Sequence, residues 1–594
     1  MTIKGRHGVV TSNRSYMFQQ ILDPIAGSLA ISALCAALPL LLLFVLLGVF
    51  KVKAPKAALA SLALSLVLAI VGWQMPVGQA LSATAAGLFF GVFPILWILI
   101  NAVWIYRLTV ATRWFEVLGR ALGSITRDHR ILAILIAFCF GALMEALAGF
   151  GAPVAIAVAM LMVVGMSPVK AAVVALVADT APVAFGGMAV PITALSGVTG
   201  LPVHDLASMV GRQTPIIALL IPLVLVFIVD GKRGVKQTWP VALVAGAVFG
   251  IVQFLASNYF VVELTDVVAA LASILAILVM LRFWQPTEII GAAEIDDGNV
   301  AGSVRSLAVV GTGTTANARV GEHEGGRSMP LSSSPGGGPV PVSTPRPSAR
   351  EIWMGVAPYL IITVIFSLSQ IPAVKSWLAA IGTLSFQWPG LDVVNAAGKP
   401  VAAQKFTVAL PSATGTLLLL SGLATMLLYK ISPRQGLRIY WETLKHLRWT
   451  IVTVTAVLAL SFLMNLSGQA STLGVFLAST GGFFAVLSPL IGWIGVALTG
   501  SDTSSNSLFG QLQVAAAVHT GLPPVLMAAS NSAGGVIGKM LSVQNLAVAS
   551  AAIGIMGSEG ILFRKLVGWS LLLLALITVL VLLQSTPVLG WMVP

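Results

Sequence analysis

Met144-Glu-Ala-Leu-Ala-Gly-Phe-Gly-Ala-Pro153 and Gly500-Ser-Asp-Thr-Ser-Ser-Asn-Ser-Leu-Phe-Gly510 are two polar, glycine-rich stretches that lie within otherwise apolar sequence. A Gly-x-x-Pro-Val turn follows each of them, Gly165-Met-Ser-Pro-Val169 after the first and Gly521-Leu-Pro-Pro-Val525 after the second. The acid and the proline of the turn are 23 residues apart in the first half and 22 in the second. This recurrence is typical of a transporter built from two related halves, in which broken helices meet at a central site.

The composition places these stretches in a membrane. Hydrophobic residues make up 57% of the 594 positions, charged residues only 9%, and the mean hydropathy is +0.97, which excludes a soluble enzyme with an ordinary core. The sequence predicts an all-α polytopic membrane protein of about 12–16 membrane elements, in two repeat-related halves with broken or re-entrant helices at a central site. The apolar stretches run over residues 25–49, 57–75, 81–106, 131–148, 168–187, 212–229, 239–257, 262–281, 352–370, 408–429, 449–466, 483–500, 507–520, 525–556 and 566–588.

Composition also divides the chain into three parts. Residues 1–283 form the first membrane half and 351–594 the second, whereas 284–350 is rich in Gly, Ser and Pro. Such a segment cannot bury enough apolar surface to order itself, so we expect a disordered cytoplasmic linker, either a plain tether or a docking segment. The net charge of +13 comes from Lys and Arg in alternate loops. The positive-inside rule puts those loops in the cytoplasm and both termini outside, and it leaves no need for a nucleic-acid partner.

The first half offers two acids beside helix breaks. Glu145 precedes Gly149, Phe150 and Gly151, and the proline that follows favours a break whose free backbone N–H groups can bind an anion. A carboxyl group in hydrocarbon is either protonated or paired, so Glu145 is a candidate proton carrier, or else a structural acid bonded to a neighbouring helix. Asp179 has a proline three residues later and serves either as a second coupling acid or as a helix cap.

The second half offers hydroxyls, amides and a cation. Its hydroxyls and backbone amides suit a small carboxylate that also carries a hydroxyl group. Lys539 either holds the carboxylate of the substrate, pairs with Asp502 when the site is empty, or extends to the membrane interface. Asp502 is the third candidate for proton coupling. The substrate-binding candidates in this half are Ser501, Thr503, Ser504, Ser505, Asn506, Asn531, Ser532 and Lys539.

Signatures of enzymes and cofactors are absent from the sequence. It has no His-Glu-x-x-His zinc motif, no Gly-x-Ser-x-Gly nucleophile elbow and no P-loop. Its two cysteines, Cys35 and Cys139, lie in apolar segments, so they form no disulfide framework or metal cluster. We therefore expect no enzymatic activity, cofactor or metal, and active transport would have to draw on an ion gradient.

Three stretches resemble the bacterial L-lactate permease family: Glu145-Ala-Leu-Ala-Gly-Phe-Gly-Ala-Pro-Val-Ala-Ile156, Gly500-Ser-Asp-Thr-Ser-Ser-Asn-Ser-Leu-Phe509 and Asn531-Ser-Ala-Gly-Gly-Val-Ile-Gly-Lys-Met540. The resemblance extends over both membrane halves. It implies proton-coupled uptake of L-lactate, with D-lactate and glycolate as related substrates, across the inner membrane. The expected partners are thus a 2-hydroxy monocarboxylate, H⁺ and the lipid bilayer.

Two other functions fit the same residues. A sodium-coupled carrier of another organic acid would use unwound backbone carbonyls and Asp502 to coordinate Na⁺. A passive channel for organic anions would have the same hydropathy but would not accumulate substrate. The sequence indicates neither the oligomeric state nor whether the two halves are inverted or parallel repeats.

Overall fold

The computed structural model describes residues 17–123, 125–148, 151–291, 347–555 and 557–594, and it is folded mainly into helices. Before residue 292 these are α1 (Leu29–Gly48), α2 (Ala54–Val71), α3 (Val77–Phe90), α4 (Trp97–Val110), α5 (Arg113–Gly123), α6 (His129–Leu132), α7 (Gly141–Ala148), α8 (Ala152–Val163), α9 (Pro168–Ala178), α10 (Gly186–Thr199), α11 (Val203–Val210), α12 (Thr214–Tyr259) and α13 (Thr265–Phe283). Two π-helical segments, Gly91–Leu96 and Ala133–Phe140, connect α3 to α4 and α6 to α7.

The part after residue 346 adds ten α-helices. They are α14 (Ala349–Ser369), α15 (Pro372–Gly382), α16 (Thr414–Leu428), α17 (Pro433–Ser467), α18 (Gln469–Ala478), α19 (Phe484–Thr499), α20 (Asp502–Thr520), α21 (Pro524–Gly538), α22 (Val543–Ala552) and α23 (Glu559–Gln584). Short 3-10 turns lie at Val183–Phe185, Val262–Leu264, Ala402–Gln404, Gly481–Phe483, Lys539–Leu541 and Gly590–Met592. The strands are β1 (Phe18–Gln19), β2 (Thr383–Gln387), β3 (Val393–Val394) and β4 (Lys405–Ala409).

Prolines and glycines set many of the helix boundaries. Proline occupies the first turn where its fixed φ fits and its missing N–H costs nothing, as in α2, α8, α9, α12, α15, α17 and α21. Glycines in the left-handed conformation end α10, α17, α19 and α20. The prolines and glycines of the sequence therefore determine where these helices begin and end.

The helices are long and apolar enough to cross a membrane many times. Within the described ranges ten helices meet this condition, or eleven if the bent pair Pro168–Ala178 and Val183–Thr199 counts as one span. One of the ten, Val203–Tyr259, has 57 residues, which is far more than one crossing needs. The helix reverses direction at Gly231, where the backbone is non-helical. The reversal brings its two arms together, since a Cβ on Gly246 would lie 2.5 Å from the Leu219 carbonyl oxygen. The prediction of a mostly helical, multi-pass membrane protein is confirmed, whereas the two repeat-related halves with re-entrant helices stay a prediction.

Several predicted spans differ from the observed helices. The apolar stretch 525–556 is not one span but two helices, α21 and α22, separated by the turn Lys539–Leu541. The polar run 501–506 begins α20 instead of preceding a span at 507, since Ser501 caps the helix. Strands β2 and β4 pair antiparallel between α15 and α16, in a stretch that the sequence presented as a loop.

Helices from before residue 292 and helices from after residue 346 pack directly against each other. α17 lies along α2 and α3, and α4 packs against α16. The approach is close where glycine allows it, because a Cβ on Gly87 would lie 2.6 Å from the Leu458 carbonyl oxygen. The buried core therefore runs through both halves of the chain.

The bundle has two ends that differ in character. At one, which we call the hairpin end, β2 and β4 form a hairpin, β1 pairs parallel with β3, and Ala402 lies against Gly200 at the end of α10. At the other, the basic end, Lys170 at the start of α9 donates to the Val229 carbonyl oxygen over 2.8 Å. The chain from 168 to 199 thus runs from the basic end to the hairpin end.

An arginine network anchors the basic end. Arg130 is fully buried and donates through Nε and an Nη nitrogen to both carboxylate oxygens of Asp128, over 3.0 and 2.6 Å. It also bonds Asp230 on α12 and the backbone carbonyl of Glu288. The exposed Glu288 carboxylate accepts hydrogen bonds from Gln237 and from Arg233, and these hold its pKa below the usual value. Residues 284–291, the start of the predicted disordered linker, are thereby tied to α6 and α12, whereas residues 292–346 of that prediction lie outside the described residues.

Candidate functional site

The first break lies after Glu145. α7 ends at Ala148, and Gly151 has φ +85° before α8 begins at Ala152. Glycine adopts this left-handed conformation without steric cost, whereas other residues do not. Gly149 and Phe150, predicted to bind substrate, lie outside the described residues.

The second break interrupts the next helix pair. α9 ends at Ala178, Asp179 caps it, and the following helix is bent by 63° from α9. Met188 and Ala189 have φ values of +60° and +58°, which residues with a side chain rarely adopt. The chain around Asp179 is therefore irregular at a point where both flanking helices are buried.

The third and fourth breaks belong to the second half. Gly500 ends α19 with φ +75°, and the Ser501 hydroxyl accepts a hydrogen bond from the Ser504 N–H at the start of α20. Asp502 occupies the first turn, where a negative charge is favoured by the helix dipole. α21 ends at Gly538, and Lys539 begins the turn that leads to α22.

These breaks meet across the two halves. A Cβ on Gly151 would lie 3.3 Å from Asn545 Oδ1, at the start of α22. Asn506 on α20 donates from Nδ2 to the Pro191 carbonyl oxygen on α10 over 3.3 Å. Each half therefore places an irregular segment against a helix of the other half.

A buried ion cluster joins three of the breaks. Lys539 Nζ lies 2.5 Å from Glu145 Oε1 and 3.4 Å from Asp179 Oδ2, and all three side chains are at most 5% exposed. Glu145 Oε2 has no hydrogen-bond partner, and neither oxygen of Asp179 has one despite the ion-pair distance. A Cβ on Gly186 would contact Glu145 Oε1 at 3.0 Å, so glycine leaves room for this carboxyl group.

A second polar network surrounds Asp502. Its Oδ2 accepts from the Ser532 hydroxyl over 2.5 Å and from Asn506 Nδ2 over 3.1 Å, while Oδ1 has no partner. Asn531 Nδ2 donates to Asn506 Oδ1 over 2.9 Å, and Gln513 Nε2 donates to Asn531 Oδ1 over 3.1 Å. The chain of amides fixes each member's orientation around the carboxyl group.

Acids outnumber bases in this core. Arg130 is neutralised by Asp128 at the basic end, which leaves Lys539 as the remaining buried cation among the described residues. Four other carboxyl groups are buried there: Glu145, Asp179, Asp266 and Asp502. Ionised groups without counter-charges are costly in a low-dielectric interior. The arrangement can therefore hold protons, and its lysine can hold an anion.

Comparison with known proteins identifies the family. The L-lactate permease family matches over residues 32–588. The chain belongs to this family. Relatives include an L-lactate permease of Bacillus subtilis, 39% identical over 97% of this chain and 99% of its own length, and one of Escherichia coli, 37% identical over 97% and 100%. Glycolate permease GlcA of Escherichia coli is 38% identical over 96% of this chain and 98% of its own. The family resemblance seen in the sequence is confirmed.

Many residues that the sequence singled out in this family member fall into the two networks. The ion cluster holds Glu145, Asp179 and Lys539, and the second network holds Asp502, Asn506, Asn531 and Ser532. The remaining hydroxyls have local roles, since Ser501 caps α20 and Ser505 Oγ donates to the Gly492 carbonyl oxygen over 3.3 Å. Thr503 and Ser504 lie buried in the first turn of α20. Their part in substrate binding stays a prediction.

The partner of Lys539 is not the one considered from the sequence. Lys539 forms its ion pairs with Glu145 and Asp179, while Asp502 interacts with it electrostatically from outside ion-pair distance. Interfacial placement of Lys539 is also wrong, because the side chain is 5% exposed. The reason is tertiary: Glu145 is 394 residues away in sequence.

Asp266 and Gln513 are two of the buried polar residues that were not predicted as site residues. Asp266 lies near the start of the predicted apolar stretch 262–281, and it is fully buried in the first turn of α13. Gln513 lies inside an apolar stretch and joins the Asp502 network. A polar residue within a predicted span was the available signal for both residues.

Proposed function

We propose that this protein is a secondary active transporter that imports L-lactate and related 2-hydroxy monocarboxylates, D-lactate and glycolate, across the bacterial inner membrane by proton symport. The observation that carries the proposal is the buried lysine held by two acids, Glu145 and Asp179. Membership of the L-lactate permease family and its lactate and glycolate permease relatives supports the substrate class.

Charge balance explains why substrate and proton move together. A monocarboxylate that pairs with Lys539 must displace Glu145 or Asp179 from it. The displaced carboxylate then lies in a low-dielectric interior without a counter-charge, which favours taking up one proton. One anion and one proton enter, and the net charge of the site is unchanged.

The hydroxyl group of the substrate needs partners that donate and accept. The Asp502 network supplies both kinds of atom, because Ser532 and Asn506 combine donors with acceptors. Asp502 Oδ1 is free to accept a hydrogen bond from a substrate hydroxyl. We place the substrate between the breaks at 149–153 and 501–506.

Alternating access follows from an inverted repeat. In this proposal the hairpin α7–α8 with the broken helix α9–α10 corresponds to the hairpin α19–α20 with the broken helix α21–α22. Reciprocal packing supports it, because α10 lies along α20 and α22 lies along α8. α8 runs toward the basic end, where residues 164–167 connect it to α9. α20 runs toward the hairpin end, since its Asn506 contacts Pro191 of α10 and its later residue Gly510 lies beside Val198. The two hairpins therefore open toward opposite ends, as expected of inverted repeats that rock around a central site.

Uptake of radiolabelled L-lactate into proteoliposomes tests the proposal. With the interior alkaline by about one pH unit and no sodium present, one-to-one symport should accumulate lactate up to about tenfold over equilibrium, and a protonophore should abolish this. Glu145→Gln should lose accumulation while it retains exchange of labelled for unlabelled lactate. Equal loss of both activities would make Glu145 a structural or substrate-binding residue. Accumulation only with sodium would refute proton symport, and uptake that never exceeds equilibrium would favour a channel.

A further inference from the structure

Asp266 is the buried acid for which the proposed transport cycle has no role yet. It is fully buried, its Oδ1 accepts a hydrogen bond from Gln253 Nε2 over 3.0 Å, and its Oδ2 has no partner. Within the described part of the chain, no lysine, arginine or histidine forms an ion pair with it. A carboxyl group in such surroundings is stable only as the neutral acid. Because Oδ1 already accepts a bond, the proton belongs on Oδ2.

Gln253 connects this acid to the break next to the ion cluster. Its Oε1 accepts from the Thr214 hydroxyl over 3.2 Å, which fixes the amide so that Nε2 is the donor. Nε2 then points both to Asp266 and to the Ala181 carbonyl oxygen, 3.4 Å away. Ala181 lies two residues after Asp179, inside the break between α9 and α10. A change of the break therefore changes the hydrogen bonding of Asp266.

The charged surroundings of Asp266 are acidic. α13 packs against α7, α10, α12, α14, the π-helical segment Ala133–Phe140 and the turn Val262–Leu264. Glu145 on α7 is near enough to interact with Asp266 electrostatically. The charged groups of α12 lie between Asp230 and Lys236, and even Lys236 is about 25 Å along the helix from Gln253 at 1.5 Å per residue. The other titratable groups on these elements are Cys139, bonded to Ser273; Glu263, bonded to Thr414; Tyr359, bonded to Met144; Arg350 and Glu351 in the first turn of α14; exposed Tyr259 at the end of α12; and Arg282 in the last turn of α13 itself.

We propose that Asp266 is a second proton-binding site of the transport cycle, which exchanges its proton with the Glu145–Asp179 cluster when the α9–α10 break moves. This inference rests on the proposed proton symport and adds a residue to it. The proton leaves Asp266 Oδ2 for a carboxylate of the cluster, and the Asp266 carboxylate keeps its bond from Gln253. A proton from the aqueous phase then restores the neutral acid. Ionised Glu145 disfavours a second negative charge nearby, so the two sites load in turn.

The test compares Asp266→Asn with the wild type in proteoliposomes. Asparagine keeps the size of the side chain and the acceptor for Gln253 but binds no proton. Lactate exchange at equal pH on both sides should stay within about threefold of wild type, while accumulation driven by one pH unit should fall by about tenfold. A pH dye trapped inside should report fewer protons per lactate. Glu263→Gln is the matched control, because Glu263 lies three residues earlier and bonds Thr414 outside this network.

The outcomes separate the two proposals. Wild-type protein that shows no proton-driven accumulation refutes the symport itself. Wild-type coupling that persists in Asp266→Asn, with unchanged protons per lactate, overturns the role of Asp266 alone. Loss of exchange and accumulation together in a folded, monodisperse Asp266→Asn protein also overturns it, because it indicates a structural residue. If that variant cannot be purified, Asp266→Leu replaces it, since it removes the proton-binding group and leaves Gln253 Nε2 with the Ala181 carbonyl oxygen as its acceptor, and the same outcomes apply.

Discussion

The Lys539–Glu145 ion pair should make a large contribution to stability. Coulomb's law at an effective dielectric constant of about 20 gives about 7 kcal/mol for the 2.5 Å contact and about 5 kcal/mol for the 3.4 Å contact with Asp179. Desolvation offsets much of this attraction. What remains measurable is the effect of removing one partner, which costs about 3–5 kcal/mol for a buried pair because the other charge is stranded.

Lys539→Met should therefore lower the free energy of unfolding by about 3–5 kcal/mol. Glu145→Gln should cost less, about 1–3 kcal/mol, because Lys539 keeps Asp179 and the glutamine oxygen still accepts a hydrogen bond. Lys539→Met alone leaves the carboxylates of Glu145 and Asp179 without a counter-charge, whereas the double variant with Glu145→Gln leaves only that of Asp179 so. Its destabilisation should thus fall short of the sum of the single effects by at least about 1.5 kcal/mol.

Denaturant unfolding in detergent, followed by tryptophan fluorescence, measures all three values. Lys170→Met is the matched control, because this lysine bonds a single backbone carbonyl oxygen and its loss should cost only about 1 kcal/mol. Single effects that add within about 0.5 kcal/mol would show that Lys539 and Glu145 are not energetically coupled. In that case the charge balance on which the transport proposal rests would be wrong.

Two further substitutions test the packing around the site and at the basic end. Gly535→Ala would put a Cβ 2.5 Å from Asp502 Oδ1, so it should lower the free energy of unfolding by about 1–3 kcal/mol and raise the KM for uptake. Gly568→Ala is the control: it has open space around it, so it should be neutral or stabilise by about 0.5–1 kcal/mol. Arg130→Lys removes the buried bidentate pairing with Asp128 and should lower the free energy of unfolding by about 3–5 kcal/mol. Arg233→Lys, at an exposed ion pair, should change it by less than about 1 kcal/mol in the same assay.

Local sequence carries much of the helical architecture. Proline at helix starts and left-handed glycine at helix ends act within a few residues, so the break at Gly500 was visible without a structure. Apolar length fixes where spans lie, but not whether a glycine such as Gly231 turns one helix back on itself. The pairing of β2 with β4 depends on partners more than 15 residues apart, and the sequence between them shows no short turn signal.

The members of the buried ion cluster could be chosen from the sequence, but their pairing could not. Polar residues in apolar stretches are costly unless they are paired or functional, which is why Glu145, Asp179 and Lys539 were chosen from sequence alone. Which carboxylate meets the lysine depends on how the breaks of the two halves approach each other, and no local pattern encodes that. Asp266 was missed because it lies at the start of its apolar stretch, and the burial of its first helical turn comes from the surrounding helices.

Charge balance gives the single buried lysine among four acids a role in the proposed symport. A substrate anion adds a negative charge to a core that already holds more acids than bases. A charge left unpaired at the membrane centre costs at least about 2.5 kcal/mol, so an anion that binds without a proton would bind weakly. If the cluster contained a second lysine, the anion could enter alone and coupling would be lost. In the proposed symport, the excess of acids would make proton uptake a condition of binding, so the composition of the core, rather than any single residue, would enforce coupling.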